Sequence, residues 1–571
     1  MIAPRNILLA ASTAAKHVGD DPVLLASQLV RRLPRRLSAQ APRLIRSIPT
    51  RSTRALGAYL TGDGPALERA LDTAVTAGVR RRTAAVLADV ALTAHHPVRA
   101  DALLELAGPA PATRARRRWY DGDMTGAVEE LQVPGHAAMR RRLQSELRVY
   151  QGWSPSVTGP SSYTPVSRTV LHVLTNSLPH TGSGYAQRSH SLLQAQAESG
   201  WAVHAVTRLG YPVQVGKLTA GREDRLGGVT YHRLLPAIVP TGFDARIQRQ
   251  TELVLRLALD LRPAVLHTTT DFLNGLITRE VARALGIPWV YEVRGQLVDT
   301  WASVRGPAAR GSEKYRLFQD REAEVMKDAG LVVTLGHAMK DNLEAVGVRG
   351  DKILLLPNAV GGDFLTEPPG QTEARHAVGL ETRGQYIGTV SSLVPYEGLR
   401  HLIKAFVLLA ADHPELRLLI VGDGVAGPSL REQAERSGYA DRIIFTGRVP
   451  RDLAVSYHRA LDVFAVPRED LEVTRSVTPL KPVEALACAR PVVASDLSAL
   501  REIVEDGVTG ILTEAGNAAA LADALATLLA DPRRAADMGR AGRARMLEER
   551  TWAANAVALN DELDELGVSV A

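Results

Sequence analysis

Cysteine, paired metal ligands and long apolar runs are scarce in this sequence. Cys488 is the single cysteine among 571 residues, which excludes an internal disulfide framework and is typical of a reducing cytoplasm. Pairs of Cys or His at zinc-binding spacing are absent, so we expect no metal. No run reaches the roughly 18 apolar residues that span a bilayer, and the first residues lack a signal-peptide cleavage pattern. These absences predict a cytoplasmic protein.

Positive charge is concentrated in the N-terminal quarter. The whole chain has a formal charge of +6, whereas residues 1–150 contain 23 Lys or Arg against 13 Asp or Glu. Arg31, Arg32, Arg35 and Arg36 form one cluster, and Arg116 to Arg118 form another. Such clusters could meet anionic lipid headgroups, and a solvated helical face is the other interpretation. Contact with a membrane surface therefore stays open, and nucleic acid is not an expected partner.

Residues 1–150 predict a region of amphipathic helices, because they are rich in Ala, Leu and Arg. The stretches 55–71 and 115–131 each read as a helix, a Gly-Asp turn and a second helix. This similarity favours tetratricopeptide-like hairpins, and an irregular helical bundle is the alternative. Residues 151–167 are rich in Pro, Ser, Gly and Thr, which indicates a linker.

Buried-strand patterns then alternate with helical ones. The predicted strands are 169–174, 202–207, 265–268, 288–291 and 331–335, followed by 386–390, 417–421, 443–445, 463–466, 492–494 and 510–512. This alternation is typical of doubly wound parallel sheets. Because the pattern restarts, we predict two α/β domains, at 168–360 and 361–550, that face a cleft where small ligands bind. A helix within 551–571 is expected to cross back to the first of them.

Six motifs of the second α/β domain carry a resemblance to a known family. They are GTVSSLVPYEGLRHLIKAF at 388–406, LLIVGDG at 418–424, IIFTGRVP at 443–450, DVFAVPR at 462–468, TPLKPVEALACARPVVASD at 478–496 and REIVEDGVTGIL at 501–512. In order and spacing they resemble the retaining glycosyltransferases of family 4, also called glycosyl transferases group 1, over residues 168–565. The resemblance implies a GT-B fold of two Rossmann-like domains, here preceded by an extra helical region.

The resemblance also implies a reaction. A sugar passes from a nucleotide diphosphate donor to a hydroxyl acceptor with its configuration retained, and neither a cofactor nor a metal is needed. The residues leave the base, the sugar and the acceptor open, with envelope polysaccharide, glycolipid or a small polyol as acceptor classes. The alternative is a catalytically weak or inactive sugar-nucleotide-binding scaffold of the same fold, and a nucleotide-sugar epimerase is a third possibility.

The resemblance assigns most donor-binding residues to the second α/β domain. Glu484 is expected to hold the ribose hydroxyls, since one carboxylate can accept hydrogen bonds from two adjacent hydroxyls. The diphosphate is expected at the start of the same helix, where backbone N–H groups and one ammonium can bind it. The residues expected to contact the donor there or in neighbouring loops are Ser391, Ser392, Gly447, Arg448, Arg468, Thr478, Pro479, Leu480 and Lys481.

Further site residues are expected in the first α/β domain. Gly182, Ser183 and Gly184 correspond to the Gly-rich loop that faces the donor phosphates and the acceptor. Arg294 takes the place of a family histidine, and its guanidinium could bind the diphosphate or an acidic acceptor. His267 matches a histidine at a strand end facing the cleft, where a structural role is equally open. With Glu484 and Lys481, these two complete the expected catalytic set.

Two departures from the family pattern bear on activity. Ser476 stands eight residues before Glu484, where relatives carry an acid, and Glu469, Asp470 and Glu472 are the nearby replacements. Ser392 and Glu397 stand where relatives carry an Arg and a Lys that grip the diphosphate. The candidates for phosphate neutralisation are therefore Lys481, Arg468, Arg475 and Arg294.

Overall fold

The computed structural model describes residues 2–20 and 50–567, and the arginine cluster at 31–36 lies outside these residues. A helical region is followed by two doubly wound α/β domains, which confirms the predicted fold class. Among the helices of the described residues, none has both the length and the apolar character needed to cross a membrane.

From residue 51 onward the helical region consists of short helices packed in pairs, whereas the first helix packs through Leu9 on Val213 and Leu235 of the first α/β domain. Its helices within the described residues are α1 (Pro4–Asp20), α2 (Arg51–Thr61), α3 (Gly64–Thr76), α4 (Arg81–Thr93), α5 (Pro97–Ala107), α6 (Pro111–Asp121), α7 (Met124–Glu129) and α8 (Ala137–Tyr150). Gly62 and Gly122 end α2 and α6 with positive φ angles of 71° and 87°, which glycine adopts without steric cost. The next residues, Asp63 and Asp123, cap α3 and α7. The two similar sequence stretches therefore form the same turn.

The arginines at 116–118 are engaged inside this region. Each makes an ion pair with an aspartate, at 2.7 to 2.8 Å, and the partners are Asp89, Asp101 and Asp123. These contacts favour the interpretation of this cluster as a structural feature of the helical faces.

The helical region is fixed to the first α/β domain. Met124 and Tyr150 belong to the apolar core of that domain. Lys314 N donates to Gly122 O at 2.9 Å, and the Glu313 carboxylate accepts a hydrogen bond from Thr125 N at 2.8 Å. Residues 151–167 also run along this domain, with Tyr163 Oη donating to Pro263 O at 2.8 Å.

The first α/β domain has an eight-stranded sheet in the order β3-β4-β2-β1-β5-β6-β7-β8. Its strands are β1 (Val166–Leu174), β2 (Ala202–Thr207), β3 (Glu223–Leu226), β4 (Val229–Arg233), β5 (Pro263–Thr269), β6 (Trp289–Val293), β7 (Leu331–Thr334) and β8 (Ile353–Leu355). Its helices are α9 (Gly184–Glu198), α10 (Phe243–Leu261), α11 (Phe272–Leu285), α12 (Leu297–Ser303), α13 (Glu313–Asp328) and α14 (His337–Ala345). All paired strands are parallel except β3 and β4.

The antiparallel β3–β4 hairpin and β8 are absent from the predicted strand set. Gly227 and Gly228 form the hairpin turn with positive φ angles of 55° and 76°. A Gly-Gly pair between two short strand-like segments is a recognised hairpin signal, so the sequence carried enough information to predict it.

The second α/β domain has a six-stranded parallel sheet in the order β11-β10-β9-β12-β13-β14. Its strands are β9 (Gln385–Val390), β10 (Leu416–Val421), β11 (Ile443–Gly447), β12 (Val463–Val466), β13 (Val492–Ser495) and β14 (Gly510–Thr513). Its helices are α15 (Gln371–Ala377), α16 (Leu399–Ala410), α17 (Gly427–Glu435), α18 (Arg451–Ala460), α19 (Glu472–Ser476), α20 (Lys481–Ala487), α21 (Ser498–Arg501), α22 (Ala518–Ala530) and α23 (Pro532–Glu549).

The last helix, α24 (Trp552–Glu565), lies against the first α/β domain. Its Leu559 and Leu563 share an apolar core with Leu192 and Leu193 of α9. The side chain of Asn555 donates to Pro357 O at 2.8 Å, in the segment that connects the two domains. The chain therefore crosses between the domains twice, at the connecting segment and at the start of α24.

Candidate active site in the interdomain cleft

Glu484 lies on α20, the helix that faces the cleft at the carboxyl edge of the second sheet. Val483 and Leu486 of this helix are fully buried in the apolar core, so Glu484 points the other way. Its carboxylate lies 3.5 Å from His458 Nε2 and lines an interdomain cavity of 570 Å³. A cavity of this size can hold a nucleotide-sized ligand.

Polar groups from both domains line this cavity. Gln187 and His190 come from α9, and Arg451 and Asp452 come from the first turn of α18. The connecting segment contributes residues 359–365. Hydrogen-bonding groups thus surround the position that Glu484 faces, as a nucleoside site requires.

A buried carboxylate joins two of the predicted phosphate ligands. Glu397, in the loop after β9, accepts hydrogen bonds from Lys481 Nζ at 2.6 Å and from Arg468 Nη2 at 3.1 Å. Burial by itself would raise the pKa of Glu397, but Arg468 and Lys481 together lower this pKa from 4.5 to about 2. Burial lowers the pKa of Lys481, against the attraction of Glu397. We call these three residues the Glu397 cluster.

The loop that carries Glu397 is fixed by close backbone packing. Gly398 has a φ of 66°, and a Cβ atom there would lie 1.7 Å from Pro467 O. Ser391 is buried and donates its hydroxyl to Ser392 O at 3.0 Å, whereas Ser392 is exposed. Of the two serines, Ser392 therefore has the hydroxyl that faces solvent.

The TPLK segment, residues 478–481, contacts the first domain. Thr478 and Pro479 are buried, and Thr478 O accepts a hydrogen bond from Asn358 Nδ2 at 2.8 Å. Leu480 packs against the apolar core of the first domain. This segment therefore lies at the contact between the two domains and just before Glu484 in the chain.

The glycine-rich loop of the first domain meets the β11 loop across the cleft. Arg448 Nη2 donates to Gly182 O at 3.3 Å. Ser183 caps α9 by accepting a hydrogen bond from Ala186 N at 3.3 Å, and Gly184 is the first residue of that helix. Gly447 has a φ of 70° and open space around its Cα. The N-terminus of a 15-residue helix is thereby brought to the cleft.

Arg294 and His267 lie around a buried carboxylate of the first domain. Both are buried around Glu292, with Arg294 paired directly to this carboxylate and His267 Nε2 3.6 Å from it. Arg294 also donates to Ser189 Oγ at 2.6 Å. The guanidinium of Arg294 is engaged within the domain, and the side chain of Lys481 is more exposed than that of Arg294.

Arg188, which sequence reasoning missed, is the other cation on Glu292. Its guanidinium lies 2.8 Å from Glu292 Oε1 and donates to Leu356 O at 2.7 Å and to Asn358 Oδ1 at 3.2 Å. Burial opposes ionisation of Glu292, yet Arg294 and Arg188 hold its pKa well below the usual range. Asn358 in turn donates a hydrogen bond to Thr478 O of the second domain. We call Arg188, Glu292 and Arg294 the Glu292 cluster.

The residues near the missing acid are also engaged. Ser476 Oγ accepts a hydrogen bond from Asn342 Nδ2 of the first domain at 2.8 Å. Arg475 pairs with Asp470 at 2.5 Å, and Glu469 lies 2.9 Å from His401 Nε2. Ser476 therefore takes part in an interdomain contact, and Arg475 is neutralised within its own loop.

Two family models match the chain in consecutive segments. "Glycosyl transferases group 1" matches residues 370–545, and "Glycosyl transferase 4-like domain" matches residues 183–359. These segments correspond to the second and the first α/β domain.

Individual proteins that are similar in sequence to this chain are also named as glycosyltransferases. A GDP-mannose-dependent alpha-(1-6)-phosphatidylinositol monomannoside mannosyltransferase of Mycolicibacterium smegmatis is 36% identical over 200 residues, which is 34% of this chain and 52% of the relative. A D-inositol 3-phosphate glycosyltransferase of Xylanimonas cellulosilytica is 31% identical over 238 residues, 40% of this chain and 55% of that protein. The chain thus spans about half the length of these curated relatives.

The fold has solved counterparts. Sucrose-phosphate synthase from Thermosynechococcus elongatus superposes with a TM-score of 0.58 at 20% identity, covering 70% of this chain and all of that one. One family model matches each of the two α/β domains. Together they identify the chain as a member of the group 1 glycosyltransferases, family 4, with the GT-B fold.

Proposed function

We propose that this chain is a glycosyltransferase that moves a sugar from a nucleotide diphosphate donor to a hydroxyl acceptor with retention of configuration. The observation that carries the proposal is the placement of Glu484 in the interdomain cavity, on the helix that begins at Lys481 of the Glu397 cluster. A ribose-binding carboxylate and a cationic group are thereby presented from one short helix.

The proposed reaction requires stabilisation of the negative charge on the leaving group. Departure of the nucleoside diphosphate leaves positive character on the sugar and adds negative charge to the phosphate. Lys481, Arg468 and the backbone N–H groups at the helix start would neutralise that phosphate, a type of contribution worth several kcal/mol in enzymes. In the retaining mechanism that the family resemblance implies, the leaving phosphate takes the acceptor proton on the same face, and no protein nucleophile is required.

The relatives suggest which donors and acceptors to try first. The printed name of the Mycolicibacterium protein includes GDP-mannose, and both relatives are named for inositol-containing acceptors. We therefore propose GDP-mannose as the first donor and ring polyols, free or in a glycolipid, as the first acceptors. Envelope polysaccharide remains within the proposal, as do a cytoplasmic location and a peripheral contact with the membrane that carries a lipid acceptor.

Donor turnover in site variants tests the proposal. We expect Lys481→Ala to lower product release by at least about 100-fold, the usual scale for loss of a donor to developing charge. Glu484→Ala should also lower product release, because it removes the contact expected with the ribose hydroxyls. GDP-, UDP- and ADP-sugars are compared in a nucleoside diphosphate release assay. Glu548→Ala and Lys404→Ala are matched controls, because both residues are exposed on helices of the same domain. Undiminished turnover in both site variants would refute the assignment.

Calorimetry distinguishes the enzyme from a sugar-nucleotide-binding scaffold. The scaffold is favoured by the engagement of Arg294 and Ser476 in contacts within the protein. Binding of GDP, UDP or ADP without turnover of any donor, with every acceptor class present, would establish it. Release of the nucleoside diphosphate that depends on Glu484 would exclude it.

A further inference from the structure

We propose that Glu397 is a positioning residue that holds Lys481 and Arg468 at the diphosphate of the donor. The inference rests on the proposed function, because it concerns the same donor site. It gives a role to a residue whose charge is opposite to that of the lysine expected at this place in the family, and it makes donor affinity depend on a buried acid.

The geometry supports a holding role. One oxygen of Glu397 receives hydrogen bonds from both cations, Lys481 Nζ at 2.6 Å and Arg468 Nη2 at 3.1 Å. Arg468 Nε lies 3.4 Å from the other oxygen, and Arg468 Nη1 donates to Val477 O at 2.9 Å. The carboxylate thus contacts a guanidinium in the loop after β12 and an ammonium at the start of α20.

The backbone around Glu397 leaves this carboxylate little freedom. The close approach of Gly398 to Pro467 O fixes the end of its loop against the residue that precedes Arg468. The ring of Tyr396 lies 5.9 Å below the guanidinium of Arg468, in cation–π contact. Glu397 therefore lies between the two cations, in a loop that packs closely against the residue before Arg468.

A carboxylate at this place has an electrostatic purpose. Two cations side by side in a partly buried site repel each other, and burial favours the neutral form of the lysine. One carboxylate between them lowers this repulsion and leaves the cluster with a net charge of +1. In the proposed donor site this charge would meet the anionic diphosphate, and Glu484, three residues after Lys481, would meet the ribose.

The charged groups around Lys481 define what removal of Glu397 would do. Three charged groups act on Lys481. Glu397 lies in the loop after β9, Arg468 follows β12, and Glu484 lies on the same helix as Lys481. Without Glu397, the nearby cation Arg468 and burial both favour the neutral amine, and Glu484 is the remaining anion. The lysine would then lose its proton at a lower pH, and diphosphate binding would weaken with it.

Diphosphate affinity as a function of pH tests this inference. Calorimetric titrations with GDP, UDP and ADP are made between pH 6 and 9.5 on the full chain. We expect Glu397→Gln to weaken binding at least tenfold at pH 8.5 and to move the alkaline decline of affinity to lower pH. Adding Lys481→Arg should remove that decline, because the guanidinium keeps its charge throughout this range. Glu548→Gln is the matched control, with wild-type affinity expected.

The outcomes separate a positioning role from a structural one. Unchanged affinity and pH profile in Glu397→Gln would overturn the inference, as would an alkaline shift that persists after Lys481→Arg. If Glu397→Gln does not fold, Glu397→Asp serves instead, since it keeps the charge but withdraws it by one methylene. We expect that variant to bind more weakly without an alkaline shift, and wild-type affinity would contradict the proposal. Diphosphate binding without sugar transfer would refute the proposed function and leave this test valid.

Discussion

The two α/β domains each bury one carboxylate between two cations, and the clusters differ in what their cations can reach. In the first domain Glu292 is fully buried, and the side chains of Arg188 and Arg294 are only 4% and 2% exposed. In the second domain the side chains of Glu397 and Arg468 are 5% and 7% exposed, whereas that of Lys481 is 19% exposed. The same charge pattern therefore leaves both cations of the first cluster buried, whereas Lys481 of the second cluster stays partly exposed.

This difference explains why similar sequence signals lead to different roles. A basic residue after a buried strand of a parallel sheet is a reasonable phosphate ligand in either domain. Arg294 lies two residues after Glu292 and pairs with it inside the domain, whereas Lys481 stands at the start of a helix that opens to the cavity. The position of the partner carboxylate thus decides how far each cation is exposed.

Removing the carboxylate of the first cluster should have the largest effect on stability. Glu292→Gln leaves two buried guanidinium groups without an anion, a change that typically costs about 3 to 5 kcal/mol. Glu397→Gln should cost less, because Lys481 can turn toward solvent. Urea unfolding of both variants, followed by far-UV circular dichroism, measures the comparison. Equal losses in the two variants would show that exposure of the cations does not distinguish the clusters.

Acid should weaken the second cluster in a defined window. The folded-state pKa of Glu397 is lowered to about 2, so its contribution to stability is present above the ordinary value of 4.5 and is lost as the pH falls toward 2. The stability gap between the wild type and Glu397→Gln should therefore be about 1 kcal/mol smaller at pH 4 than at pH 7. Urea unfolding at the two pH values measures this gap. A gap that is constant with pH would argue against a paired, ionised Glu397.

The interdomain hydrogen bond of Ser476 should give the smallest effect. Ser476 and Asn342 join the two domains at 2.8 Å, and a single hydrogen bond of this kind contributes about 0.5 to 1.5 kcal/mol. A double-mutant cycle of Ser476→Ala and Asn342→Ala should yield a coupling energy of that size in the unfolding free energy. A coupling near zero would mean that this contact does not link the domain that holds the Glu292 cluster to the one that holds the Glu397 cluster.

Much of the donor site could be predicted from short motifs. The loop, helix and strand around Glu484 are local features, and the apolar positions of α20 decide which side of the helix faces the cleft. The alternation of strands and helices likewise predicted both sheets. The hairpin of β3 and β4 was missed although its Gly-Gly turn is visible in the sequence.

Other features depend on residues far apart in the chain. Arg188 and Glu292 are separated by 104 positions, and Ser476 and Asn342 by 134. The first pair requires α9 to pack on β6, and the second requires α14 to meet α19 across the domains. A single sequence gives no local signal for such contacts. Arg294 and His267 lie around the same Glu292, which agrees with the structural role left open for His267, and their expected part in catalysis stays a prediction.

The sequence by itself determined the two-domain architecture, the family and the helix that presents Glu484 and Lys481, because periodicity and short motifs act over a few residues. Only the tertiary structure decided which cations remain available to a ligand. Burial makes an unpaired charge costly, so each cation takes the carboxylate that folding brings to it. Arg188 and Arg294 share Glu292 and are buried with it, whereas of the two cations on Glu397 Lys481 keeps the more exposed side chain.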